Sequence, residues 1–273
     1  MKRWILIILI LLFAGLFLTS GYFLGDYFLE SYRQQQEFDR LSQLMHAPQA
    51  TPERNTSPDA SQEQAPEAEP VQAEVPETGD SRQMLPEFTQ LYAMNDDIVG
   101  WIQIPGTRID YPVMQNIHYT DYYLYLDFDE TYSRHGCIYV REECDVAAPS
   151  DNLTIYGHRM GDGTMFNDLH KYLDEDFCRE NPTILFTTLT QRRTYEILAV
   201  FTLSSSVGSD FPYHLFVDAA EEADFDDYVS TCKAYALYDT GVTASYGDKL
   251  ITLSTCEYTH ENGRLVVVAR QVS

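Results

Sequence analysis

Cys256, Arg264 and His158 are the residues from which chemistry could be built. Cys256 closes the run Leu250-Ile251-Thr252-Leu253-Ser254-Thr255-Cys256-Glu257, whose apolar, β-branched start reads as a buried strand. A second apolar run, Leu265-Val266-Val267-Val268-Ala269, follows after a short turn that includes Thr259 to Gly263. Such a hairpin would set Arg264 across from the thiol. A guanidinium is always charged, and a nearby cation favours the nucleophilic thiolate. His158 ends a third strand-like run, Leu153-Thr154-Ile155-Tyr156-Gly157, and supplies a general acid and base. Together the three could divide an acyl transfer: thiolate attack, proton transfer to and from an amine, and stabilisation of an oxyanion. Taken singly, a cysteine at a strand end is more often a buried structural residue.

The motifs around these residues resemble those of sortases, most closely class B. The pattern T-L-x-T-C with an arginine on the next strand is met by Thr252-Leu253-Ser254-Thr255-Cys256 and Arg264. Tyr156-Gly157-His158 followed by Met165-Phe166-Asn167-Asp168-Leu169 is similar to the class B histidine region, as are the blocks Asn95 to Pro105 and Asp110 to Gln115. The match runs from about residue 85 to the end, and several blocks in order are more specific than one motif. The resemblance implies an eight-stranded β-barrel with N-terminal helices and a helix before the cysteine strand. It implies a cysteine transpeptidase that cuts a C-terminal sorting signal, similar to N-P-x-T-N, after its threonine. The acyl group would pass to a cell-wall peptide amine or, in some members, to a pilin. Cys256, His158 and Arg264 would be catalytic, with Ser254, Thr255, Glu257 and Leu124 contacting the signal. Four residues before that leucine the family often has asparagine, where this chain has Thr120. His260, on the turn, is taken as a bystander.

Two other readings are on the table. Arg134-His135-Gly136-Cys137 is similar to the S/T-H-G-C-x-N signature of L,D-transpeptidases, but Arg134 and Tyr139 depart from it. An anchored, non-catalytic binding barrel is the second. The acidic residues form no calcium-loop pattern, and no C-x-x-C occurs among the five cysteines. No metal and no cofactor is therefore expected.

The elements that must position these groups follow. Trp4 to Leu24 is free of charge, with Lys2 and Arg3 before it and Asp26 after it. Its 21 residues would span a hydrocarbon core of about 30 Å, with the C-terminal side outside. A cleaved signal peptide is the competing reading; the small residues lie within the run rather than after it. Residues 1–25 are thus expected to be an anchor and 26–81 a juxtamembrane helix followed by a stalk. The stalk, Ala47 to Asp80, holds six of the twelve prolines and no aromatic residue, leucine or isoleucine. As a disordered coil it would set the enzyme on the order of 30 Å off the bilayer. Residues 82–273 are expected to be the catalytic domain, outside the cell. The net charge of −24 argues against nucleic acid as a partner. An odd cysteine count leaves at least one thiol unpaired; Cys256 is that one here, and whether Cys137, Cys144, Cys178 and Cys232 pair is left open.

In the domain, strands are expected over Ile98–Ile104, Arg108–Met114, Cys137–Val140, Leu153–Tyr156, Thr183–Thr188, Arg193–Leu203 and the final pair, a spacing that fits a barrel or sandwich. One helix opens the domain near Pro86–Asn95. Another follows an Asp218/Glu221 capping box.

Overall fold

A computed structural model describes residues 2–47, 83–204, 211–257 and 263–273. Eight strands appear, β1 (Ile98–Gln103), β2 (Asp110–Met114), β3 (Ile138–Val140), β4 (Asn152–Tyr156), β5 (Thr183–Thr188), β6 (Arg192–Ser204), β7 (Leu250–Glu257) and β8 (Gly263–Gln271). They close a barrel in the order β1-β2-β3-β4-β7-β8-β6-β5. Two neighbour pairs are parallel, β2 with β3 and β4 with β7. All eight expected strands are present, with ends shifted by a residue or two.

Side chains alternate along a strand, and the core divides accordingly. Ile251 and Leu253 of β7, Leu265 and Val267 of β8, and Leu153 and Ile155 of β4 belong to the main core. Leu250, Val266 and Val268 belong instead to a second cluster, under helix α4 (Glu222–Tyr235). Both faces of β7 and β8 are buried over most of their length, which is why the sequence there is a near-continuous apolar run. A third cluster forms under α1 (Lys2–Met45) and α2 (Phe88–Met94), around Leu41, Phe88, Leu91 and Trp101.

Three features differ from expectation. The box at the start of α4 lies three residues later: Asp224 accepts from the Glu221 and Ala220 backbone N–H groups at 3.3 and 3.1 Å. Asp218 is used elsewhere, accepting from the Asp151 N–H at 2.9 Å, so it joins two loops rather than starting a helix. Between β4 and β5 a 3-10 stretch (Phe166–Leu173) and α3 (Glu175–Glu180) were not foreseen; the segment is short and its Asp174 cap, accepting from Asp176 N–H at 2.9 Å, is the one local signal. The anchor and juxtamembrane expectations merge, because α1 is a single helix of 44 residues. Its first part is long and apolar enough to cross a membrane. The stalk and the turn carrying His260 lie outside the described residues.

Candidate active site

The strand registers bring the three groups together. β4 and β7 run parallel with Tyr156 beside Ser254 as their last pair. His158 and Cys256 each lie two residues beyond that pair, at the same rim of the barrel. Across the antiparallel β7–β8 ladder Cys256 pairs directly with Arg264. Parity completes the arrangement: with Leu253 and Leu265 facing the core, Ser254, Cys256 and Arg264 fall on the outer face. The Arg264 Nη1 reaches the Cys256 Sγ at 3.5 Å.

Glycine sets the histidine's path. A Cβ on Gly157 would lie 2.4 Å from Ile138 Cδ1 and 2.7 Å from the Phe166 ring, so any larger residue would push the His158 loop off the barrel. The Gly157 N–H donates to Ser254 O at 3.2 Å, and Phe166 N–H to His158 O at 2.9 Å. The His158 Nε2 bonds the Leu124 carbonyl at 2.8 Å, and its ring lies 5.4 Å from that of Tyr125. Burial holds the imidazole below its ordinary pKa; the Leu124 carbonyl opposes this, and His135 and Arg264 add to it.

A cavity of about 500 Å³ joins these groups, lined by Cys256, His158, Arg264, Leu124, Ser254 and Thr255 among others. Glu257 ends β7 opposite Gly263. Thr120 also lines the cavity. The Ser254 hydroxyl is buried and pairs with the Tyr213 hydroxyl at 2.8 Å. The buried Thr255 Oγ1 has no partner among the described residues. Sequence reasoning missed Tyr125, Tyr213 and Arg141, which share the cavity. Tyr125 adjoins Leu124, which the motifs named, while Tyr213 and Arg141 come from segments that no motif or local spacing marks. Among the described residues no group of His, Cys, Asp and Glu is placed to hold a metal ion.

The rival cysteine is differently housed. Cys137 is 2% exposed, and burial, with the carboxylates of Glu37, Asp127 and Asp129, pushes its thiol well above the ordinary range. Its segment is structural: Cys137 N–H donates to Tyr123 O at 3.0 Å. Gly136, at φ +57°, packs so closely that a Cβ would sit 2.4 Å from Leu124 O. All five cysteines are free thiols.

A closed mixed barrel with thiol, guanidinium and imidazole at one rim defines a class of cysteine acyltransferase. The comparisons narrow it. Residues 102–272 match the family model of the sortase domain. Sortase B of Listeria monocytogenes is 37% identical over 189 residues, 68% of this chain and 74% of that protein. Sortase B of Staphylococcus aureus is 30% identical over 187 residues, 68% and 74% of the two chains. The crystal structure of S. aureus sortase B covers 71% of this chain and 90% of its own at 30% identity, with a TM-score of 0.63. A S. aureus sortase B–substrate complex covers 90% and 99% with a TM-score of 0.70; at 24% identity it speaks for the fold. The chain belongs to the sortase family, class B, and is a cysteine transpeptidase.

Proposed function

We propose that Cys256, His158 and Arg264 carry the transpeptidation, on a sorting signal similar to N-P-x-T-N cut after its threonine. The observation that supports this most is the shared cavity, with Arg264 against Cys256 at 3.5 Å and His158 on the same wall. The Cys256 sulfur attacks the threonine carbonyl, and a thioester forms as the C–N bond breaks. His158 in its imidazolium form gives a proton to the departing amine and, then neutral, takes one from the acceptor amine. Its ring is bonded to the Leu124 carbonyl and not to the thiol, so its proton passes to the substrate rather than from the cysteine. Arg264 donates to the developing oxyanion or to a signal carbonyl.

Ser254, Thr255, Glu257 and Leu124 are proposed to contact the signal. The Thr255 side chain is buried, with its hydroxyl unpaired among the described residues, so its contact with the signal is through the backbone. The acceptor is a cell-wall peptide amine, with a pilin amine as the alternative. The first helix is proposed as a single membrane span with the domain of residues 82–273 outside the cell. A fluorogenic panel of N-P-x-T, S-P-x-T and P-P-x-T peptides tests the reading: turnover of one, absent in Cys256→Ala, is expected, and none with any peptide would favour a non-catalytic barrel.

A further inference from the structure

Helix α1 runs unbroken from Lys2 to Met45, and its second half is part of the barrel's packing. Phe38 packs edge-on to Tyr111, ring centres 5.0 Å apart. Leu41 is fully buried beside Phe88 and Trp101. Gln34 Nε2 donates to Asp127 at 3.4 Å, Ser42 Oγ to Asp110 at 3.2 Å, and Arg40 pairs with Asp129 at 3.4 Å. These contacts begin almost where the charge-free run ends. Arg134 lies 3.7 Å from Asp26 and 3.4 Å from Glu30, and its backbone N–H donates to Glu30 at 3.0 Å. A Cβ on Gly161, in the loop that follows His158, would lie 3.7 Å from the Tyr27 hydroxyl.

Helix rise converts these contacts into heights. Tyr27 and Glu30 are three and six residues past Leu24, about 5 and 9 Å along the axis. The polar layer of a bilayer extends roughly 5–8 Å beyond its hydrocarbon. The His158 loop is therefore held at that layer. Residues 48–82 cannot lift it away, whatever path they take. Met45 and Met84 pack on one cluster, and Leu85 N–H donates to Leu189 O at 2.7 Å, so the segment leaves and rejoins the same body.

The rim at this height is aromatic. Tyr125 and Tyr132 are 49% and 68% exposed and stack with ring centres 6.4 Å apart. Ser133, beside Arg134, donates to Tyr125 O at 3.0 Å. Tyrosine, apolar in body and polar at its tip, favours the headgroup layer. Phe28 and Tyr32 of α1 are exposed at a similar level.

We propose that the barrel rests with its catalytic rim on the phospholipid headgroup layer of the membrane that α1 spans, with Tyr125 and Tyr132 in contact with that layer. This rests on the membrane-anchored reading above. The enzyme then serves amines held near the bilayer surface, and the proline-rich segment is not a tether. With a net charge of −24, anionic lipid does not drive the contact; the helix and the aromatic rim do.

The full chain, carrying Cys256→Ala and an environment-sensitive thiol probe at Tyr132→Cys or, at the far end of β8, at Ser273→Cys, is placed in phosphatidylcholine vesicles. Headgroup-spin-labelled lipid is expected to quench the first probe several-fold more than the second. The difference should persist when residues 50–79 are replaced by a glycine–serine linker of about ten residues, which can reach roughly 30 Å. Equal quenching at both positions in a vesicle-retained protein would overturn the rim contact alone. A protein removed by alkaline wash would overturn the anchor as well. Loss of the difference in the shortened chain would restore the tether.

Discussion

Two histidine–cysteine regions lie within this barrel, and they differ in everything but residue type. Around Cys256 the thiol is half-buried, meets a guanidinium at 3.5 Å and opens on a cavity shared with His158. Around Cys137 the thiol is sealed, with carboxylates as its charged neighbours. His135, two residues before it, is itself buried and bonded to Asp162 at 2.7 Å. A cysteine and a histidine make a reactive pair only where the thiolate is stabilised and reachable. The second region instead braces the first: Cys137 and Gly136 fix the Tyr123–Leu124 turn, whose carbonyl holds His158.

The sharpest break between the regions is by substitution. Cys256→Ala should reduce transpeptidation below detection in a peptide-transfer assay, because no other group can form the thioester. Cys137→Ala should keep most of the activity while lowering Tm through a small cavity. Alkylation comes next. Iodoacetamide near neutral pH should modify Cys256 alone, read by peptide mapping. Burial pushes Cys144 to about 11 and Cys232 to about 12, and raises Cys137 and Cys178 as well, so these react only on unfolding. Fast modification of Cys137 would invert the comparison. Arg264→Ala should cost on the order of 10²–10³ in kcat/KM, the size of one oxyanion donor. Arg264→Lys should recover only part, since a point charge replaces a fork.

The smallest effect concerns protonation. His158 should titrate by NMR with a midpoint below about 6.5, since burial disfavours the imidazolium. Its neutral form is therefore the majority species throughout the range above that midpoint. Tyr125→Ala, which uncovers one face of the ring, should move the midpoint up toward the ordinary value. A wild-type midpoint above 6.5 would show that the Leu124 carbonyl, not burial, governs this group.

The strands were legible because their apolar runs are local, and the Cys256–Arg264 pairing followed from one hairpin. The family motifs named His158, but its register with Cys256 needed the parallel β4–β7 pairing, which joins segments about a hundred residues apart and leaves no local trace. The same holds for Tyr213, which reaches the cavity from a distant loop. The capping box was misplaced because Asp218 and Glu221 have the right spacing, while the structure uses the equally spaced Glu221 and Asp224. The docking of α1 was invisible for a related reason. Phe38 and Leu41 look like an amphipathic stripe, and nothing nearby shows that the barrel is what covers it.

On this reading Cys256 forms the acyl-enzyme within the cavity it shares with His158 and Arg264. Intact-mass analysis after mixing the protein with an N-P-x-T-N peptide, quenched in acid, tests it most directly. The expected product is an adduct equal to the peptide up to its threonine, mapped to Cys256, released by hydroxylamine and absent in Cys256→Ala. An adduct on Cys137, or turnover that persists without Cys256, would contradict it.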